Sequence, residues 1–407
     1  MSEVQIKPLK EIVQRIRDSE NGTPINVLTI SSTQGWVSQK DRWARNMAGD
    51  SLAKYTKIQK GDFSYNRGNS KTYPYGCMFR LNDFKDAVVP NVYHSFRIRD
   101  DGVDSDFLQQ FFWFGGLDAQ LKGVLTSSVR DNGLLNITSE TFFSLEISLP
   151  PLPEQKKIAA ILTSVDDVIE TTQKQIDKLQ DLKKATMNEL LTKGIGHTDF
   201  KDSELGEIPE SWEVKALGDY VKLQGGNAFP SSSFSENGVP VVRISNIVDG
   251  IVDMSKCIYF AESERFRNFV VCKGDILLAM SGATTGKVGV YWNNFESYLN
   301  QRVGRFKVLN KEKVAPLFLK HLVQSSIFSE ATLRDAIGGA QPNISSSQVE
   351  SVMYAFPPIG EQNLISSTLG AIDQQIEIKR QKLTQTQSLK KSLMQDLLTG
   401  KVRVKVD

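Results

Sequence analysis

Apolar positions along this chain recur with two different periods. In two stretches they fall three and four residues apart: Leu162, Val165, Ile169, Ile176, Leu179, Thr186 and Leu190 in the first, Leu369, Ile372, Ile376, Leu383, Leu393 and Leu397 in the second. That spacing predicts two amphipathic helices. Each opens behind proline, with a glutamate in the first turn, where a carboxylate meets the positive end of the helix dipole. Lys193–Gly194 and Gly400–Lys401 supply the stops. Helices of ~40 residues would be ~60 Å long at ~1.5 Å per residue. Stripes of this length exceed what one small domain covers. The expected partner of each is therefore the other, as an antiparallel pair; the alternative is that each packs on its own globule. Elsewhere the apolar runs are short and rich in Val, Ile, Leu and Tyr (VVRISNI, DILLAM, KVGVYW), broken by Gly, Asn and Ser, which predicts strands. PLFLKHLVQSSIF reads as a shorter helical stretch.

The two helical segments are copies of one another. PPLPEQKKIAAILTSVDDVIE, from Pro150, aligns without a gap on PPIGEQNLISSTLGAIDQQIE, from Pro357. The same register carries Lys183–Lys184 onto Lys390–Lys391, Met187 onto Met394, and Leu190–Leu191–Thr192 onto Leu397–Leu398–Thr399. The segments before the helices match with drifting spacing: Lys60–Gly61–Asp62 with Lys273–Gly274–Asp275, Gly76 with Gly289, Phe107–Leu108 with Phe318–Leu319, and Asn136–Ile137–Thr138 with Asn343–Ile344–Ser345. A shared scaffold with diverged loops follows. The expected class is α+β: two similar β-rich globules, 1–149 and 211–356, and two long helices, 150–194 and 357–400, forming an antiparallel coiled coil with a pseudo-twofold internal repeat. Residues 195–210, with Gly194, Gly196 and Pro209 nearby, read as an irregular linker, and 401–407 as a tail.

Composition narrows the function classes. The 407 residues are 40% hydrophobic and 24% charged with net charge +2, so the chain is no generic polycation and any nucleic-acid contact must come from local clusters. Cys77, Cys257 and Cys272 are far apart and form no CxxC pair, which argues against a disulfide framework or a zinc site. The opening residues do not read as a signal peptide, and no apolar run approaches the ~18 residues of a membrane span. The expectation is a cytoplasmic protein without membrane association.

The sequence offers little for catalysis. His94, His197 and His321 are scattered, and neither HExxH nor GxSxG occurs. SGATTGKVG imitates a phosphate-binding loop, but one residue is missing between Gly282 and Gly286–Lys287, and Val288 stands where a hydroxyl is needed. A tight turn between strands explains the glycines better. The Asp/Asn-Pro-Pro-aromatic motif of an amino-methyltransferase is absent. No catalytic residue, metal or cofactor is therefore assigned.

The globules do contain recognition chemistry. Between Ser31 and Tyr75 there are eight Lys/Arg against three Asp, interleaved with Asn, Gln, Trp and Tyr. Arg, Asn and Gln pair bidentately with base edges, and Lys, Ser and Thr hold phosphates. The candidate DNA contacts in the first globule are Gln34, Lys40, Arg42, Arg45, Asn66, Arg67, Asn69, Ser70, Lys71 and Tyr73. In the second they are Arg243, Asn246, Ser281, Thr284, Thr285, Lys287, Gln301, Arg302 and Asn343. Any single one of these is as readily a solvated loop residue; the collection in two corresponding globules favours DNA. Lys183, Lys184, Lys390 and Lys391, beside Leu190, Leu191, Leu397 and Leu398, suggest a leftover helical surface for partners.

The globule–helix–globule–helix order, the paired PPLPEQ and PPIGEQ helix starts, the LLTKGIG and LLTGKVRV helix ends, the linker GEIPESWEVKALGD and the turn GDILLAMSGATTGKVG resemble the specificity subunits of type I restriction–modification enzymes. The likeness spans essentially the whole chain, although the first globule lacks an IPESWE-type entry and begins near Lys7–Leu9. It implies a non-catalytic subunit whose globules are target recognition domains, each reading half of a bipartite, asymmetric site in double-stranded DNA. It implies that the helices set the spacer and dock two modification subunits, which carry S-adenosylmethionine and methylate adenine, and that a restriction (motor–nuclease) subunit joins. A coiled-coil scaffold that binds only proteins, or an enzyme such as a fused methyltransferase, would be the other classes.

Overall fold

The structure, a computed structural model, describes residues 3–19, 26–43, 49–68, 70, 72–125, 134–334 and 343–406. Two long helices, Leu152–Lys193 and Ile359–Leu398, occupy the places that the three-and-four spacing predicts. The chain divides into two compact units, Met1–Gln173 with Gln381–Asp407, and Lys174–Arg380. The division falls inside both helices, so each unit is one globule and part of each helix.

In the first unit Val13–Arg15, His94–Ile98, Phe63–Asn66 and Cys77–Arg80 form a four-stranded antiparallel sheet in that order. Its inner face is aromatic. Phe63 stacks on Phe96 with ring centres 5.5 Å apart, and Tyr65 on Phe142 at 4.6 Å. The helix Ser105–Trp113 adds Phe107, Phe111 and Phe112 to this core, with Asp104 capping its start by accepting from the Asp106 and Phe107 amides. The core continues without a break onto Ile158, Ala159 and Leu162 near the start of the central helix and onto Met394, Leu397 and Leu398 at the end of the other. The helices therefore run antiparallel here, and each fully buried side chain of this size contributes ~1.5–3 kcal/mol.

The second unit repeats the plan with a larger sheet. Six strands lie in the order Val221–Gly225, Val303–Val308, Ile276–Ala279, Val288–Val290, Ile251–Val252 and Ile247–Val248, and a separate four-stranded sheet contains Val239–Val242 and Ser297–Leu299. Its core joins Trp212, Phe306, Phe318, Phe328 and Tyr354 to Met187 and Leu191 of one helix and Ile365 and Leu369 of the other, again antiparallel. PLFLKHLVQSSIF forms two helices, Pro316–Val323 and Ser326–Leu333, because Ser325 caps the second by accepting from the Phe328 amide.

Equivalent strand pairs close the two globules. Gln5–Pro8 pairs with Glu146–Leu149, and Glu213–Ala216 with Met353–Phe356. Gln5–Pro8 is thus the counterpart of Glu213–Ala216. The linker is more regular than its composition suggested: Phe200–Ser203 and Gly206–Pro209 form an antiparallel hairpin, turned by Gly206 at φ +92°. Lys183, Lys390, Leu191, Leu397 and Leu398 are not leftover surface. The lysines pair with Asp373 and Asp166 across the helix pair, both at 2.6 Å, and the leucines are buried. Lys184 and Lys391 remain exposed.

Candidate DNA-reading surfaces

The proline–Glu–Gln motif that opens each long helix fastens a globule to the helix pair. Gln155 accepts from the Asp104 amide and donates to the Gly102 and Pro150 carbonyls, and Gln362 does the same with Ala315, Lys313 and Pro357. The preceding glutamate holds the residues that follow the other helix. Glu154 accepts from Arg403 and from the Val404 amide; Glu361 accepts from the Ile195 amide, His197 Nε2 and Trp212 Nε1. The Arg403 guanidinium holds the Glu154 carboxyl below its ordinary range.

The Lys-Gly-Asp repeats are a second piece of framework. Asp62 accepts from the Gln59 amide at 2.7 Å and from Arg97 Nε at 2.6 Å. Asp275 accepts from the Cys272 amide at 2.8 Å and from Arg305 at 3.1 Å. The intervening Gly61 and Gly274 take φ +95° and +94°, a left-handed turn suited to glycine.

With this frame fixed, several candidate residues gather at one end of the main sheet, most clearly in the second unit. In the second unit Met280 donates its amide to the Arg302 carbonyl and accepts from the Ile344 amide, and Ser281 bridges to Asn343. Thr284 Oγ1 donates to the Ile244 carbonyl at 3.3 Å, and the Asn300 amide to the Val242 carbonyl at 3.2 Å. Segments 242–246, 280–287, 300–302 and 343–344, far apart in sequence, therefore meet. Asn227, bridged to Asn300, joins them; it was missed, and its only sequence signal is the Gly-Gly-Asn that follows a strand. In the first unit the Leu135 amide donates to the Arg67 carbonyl and Gly68 bridges to Leu134, connections of the same kind at the corresponding turn. The Ile30 carbonyl accepts from both Arg42 and Asn66 there.

Several candidates turn out to hold these loops. Asn246 is buried, with Oδ1 on the Arg243 amide and Nδ2 on the Asp253 and Lys256 carbonyls. Asn66 joins Ile30 to the Gly68 amide, and Arg67 donates to the Val92 and Ile137 carbonyls. Ser70 accepts from the Tyr73 amide, and Tyr73 packs edge-on against Phe79 with its phenol pKa raised by burial. Thr284 and Thr285 donate to the Ile244 and Gly282 carbonyls. These contacts have one cause: a loop carrying many polar side chains needs some of them to satisfy its own backbone. Gln34, Lys40, Arg42, Lys287, Gln301, Arg302 and Asn343 are exposed, and Arg243 and Ser281 are half-buried. Arg45, Asn69 and Lys71 lie outside the described residues.

SGATTGKVG is a strand-connecting turn, with Gly282 and Gly286 at φ +81° and +83° and the Gly286 amide bonded to the Ala279 carbonyl. No group of His, Cys, Asp and Glu suited to a metal occurs among the described residues. His94 and His321 are buried and held near a pKa of about 4, by burial first and then by Arg67 and by Lys320 with Lys183 respectively.

The family described as type I restriction modification DNA specificity domain matches residues 51–181 and 209–387, one match per globule with its helix. The chain belongs to this specificity-subunit family. It is 38% identical over 288 residues to the type I restriction enzyme MjaVIII specificity subunit of Methanocaldococcus jannaschii, covering 69% of this chain and 68% of that one. It is also 38% identical over 266 residues to the putative MjaX specificity subunit of the same organism, covering 64% and 60%. Among solved structures, one from a study of complex assembly and conformational transition of the type I restriction–modification system superposes with a TM-score of 0.60 at 16% identity, covering 97% of each chain. The doubled globule–helix plan is thus a shared specificity-subunit fold, and the specificity subunit is the DNA-recognition component, not the catalytic one.

Proposed function

We propose that each globule of this specificity subunit reads one half of a bipartite, asymmetric site in double-stranded DNA, and that the helix pair fixes the spacer between the halves. The observation that carries this reading is the split between what the two copies share and what they do not. Helix starts, helix ends, Lys-Gly-Asp turns and closing strand pairs correspond; the loops bearing Gln34, Lys40 and Arg42 in one globule and Arg243, Lys287, Gln301, Arg302 and Asn343 in the other do not. Two copies of one frame with unlike exposed polar sets suit two unlike half-sites.

Recruited subunits would then supply the chemistry. Two modification subunits carrying S-adenosylmethionine would methylate adenine in the two half-sites, and a restriction subunit would add cleavage. Two equivalent docking places are available in principle. Leu182 and Leu389 occupy the same repeat position and are both about half exposed, at 52% and 53%. No helix among the described residues is long and apolar enough to cross a membrane, in keeping with work on cytoplasmic DNA.

The test is a globule exchange. Residues 1–149 are replaced by the matching segment of a relative with a different site, and the methylated sites of the host genome are sequenced. One half-site should change while the other half and the spacer stay. A change in both halves, or in neither, would refute the modular reading. A chain that assembles with no methyltransferase and binds no DNA would instead be a protein-binding scaffold.

A further inference from the structure

Arg243 differs from most other arginines of the globules. Arg67 donates to two carbonyls, Arg42 to one, Arg97 to Asp62, and Arg305 to Asp275, Gln224, Val270 and Asn268. Arg243 is half-buried, its Nε is sealed from solvent, and its guanidinium has no hydrogen-bond or ion-pair partner among the described residues. Its backbone is held firmly. The Arg243 amide donates to Asn246 Oδ1 at 2.9 Å, Asn246 Nδ2 grips the Asp253 and Lys256 carbonyls at 2.9 and 3.1 Å, and the Val242 carbonyl accepts from Asn300.

The adjoining turn shows the same feature. Ser281 stands before the 3-10 turn Gly282–Thr284, where a serine hydroxyl ordinarily caps, yet its Oγ makes no capping bond and is sealed without a partner. The two turns touch: a Cβ on Gly282 would lie 3.1 Å from Ile244 Cδ1, and Thr284 bonds to the Ile244 carbonyl. A cation whose neck is out of water and which meets no counter-charge is unfavourable in the free protein. That deficit is relieved when a ligand brings acceptors. Arg302 and Lys287, by contrast, are exposed at the same end and have no side-chain partner among the described residues, which suits a phosphate contact.

We propose that Arg243 is a specificity-determining residue that reads one guanine in the half-site of the second globule, with Arg302 and Lys287 on backbone phosphates. The proposal rests on the second globule being a DNA reader. A guanidinium held at its neck presents its terminal amines as a planar fork, and the O6 and N7 acceptors of guanine in the major groove match that fork. Sequence reading needs a donor that stays in place, which the Asn246 frame supplies; a phosphate contact does not.

The experiment uses the complete methyltransferase complex with S-adenosylmethionine and duplexes that carry each single base-pair change in both half-sites. Arg243→Lys keeps the stem and the charge but not the fork; Arg243→Ala removes all three; Arg302→Ala is the comparison. Both Arg243 variants should lose about tenfold or more of the discrimination at a single G·C pair of one half-site and leave the other half-site unchanged. Arg302→Ala should weaken every duplex alike and lower the slope of log affinity against log salt by about 1. Arg243→Lys, checked by an unchanged melting curve, carries the test should the alanine variant misfold. Uniform weakening by Arg243→Lys, relaxation at an A·T pair, or behaviour identical to the parent would overturn the proposal. If exchanging the second globule left both half-sites intact, the DNA-reading role itself would fall, a result that no Arg243 substitution could produce.

Discussion

Glu361 makes the sharpest stability prediction, because one carboxylate serves three donors that follow the other helix. It accepts from Trp212 Nε1 at 3.0 Å, His197 Nε2 at 2.8 Å and the Ile195 amide at 2.9 Å. Trp212 is fully buried, so Glu361→Ala leaves an indole N–H without partner or water, a loss of ~1.5–3 kcal/mol for a bond to a charged acceptor. The Ile195 and His197 donors reach solvent and cost less, and the lost first-turn carboxylate adds ~0.3–1 kcal/mol. The total is about 2–4 kcal/mol, or a melting shift on the order of 5–12 °C for a unit of this size. Calorimetry of Glu361→Ala, Trp212→Phe and the double variant tests the assignment, since removing donor and acceptor together should cost less than the sum by about 1–2 kcal/mol. An unshifted transition in Glu361→Ala, or strict additivity in the cycle, would show that the carboxylate does not hold the linker.

The remaining predictions concern pH and assembly. His321 and His94 titrate near 4 in the folded chain against an ordinary 6.5, so the unfolded chain binds more protons between those values. Stability should be complete above about pH 6.5 and fall as pH drops toward 4, by roughly 3 kcal/mol per histidine. Denaturant midpoints of His321→Gln should depend less on pH across that window than the parent's, and an identical profile would contradict the assignment. Leu182→Asp with Leu389→Asp should leave the melting curve intact and reduce co-purification of the modification subunit; full assembly in the double variant would exclude these leucines as docking contacts.

The frame was legible in the sequence because it is built from period and repetition. The three-and-four spacing gave both long helices, and the gapless repeat gave their antiparallel relation, since a stripe cannot be buried against nothing. The reading ends were legible only as a region. Asn246 and Lys287 look alike in sequence, as polar residues in polar loops, yet one is buried with its amide fully used and the other is exposed. What separates them is which backbone groups each loop leaves unsatisfied, and that depends on contacts such as Asn246 with Lys256 and Asn300 with Val242. Leu397 and Lys390 failed as surface candidates for a related reason. Period marks a stripe on a helix but not how far around the helix its partner extends.

The reciprocity of the two copies explains why the helices keep register while the globules drift. Asp166 takes Lys390, and Asp373 takes Lys183, so each copy supplies the acid for the other's base. The glutamate that opens one helix likewise fastens the residues that follow the other: Glu154 holds Arg403, and Glu361 holds Ile195, His197 and Trp212. A one-residue slip in either helix would turn its side chains by about 100° and break contacts made by both copies. A loop at the sheet end faces no such constraint. The turn after Phe63–Asn66 spans residues 67–76, and its counterpart after Ile276–Ala279 spans 280–287. Each turn has, among its anchors, an amide-to-carbonyl bond near its start, Leu135 to Arg67 and Ile344 to Met280, and the two turns differ in length and composition. Contacts made by both copies thus tie each helix to one register, while the loops at the sheet ends differ in length and composition.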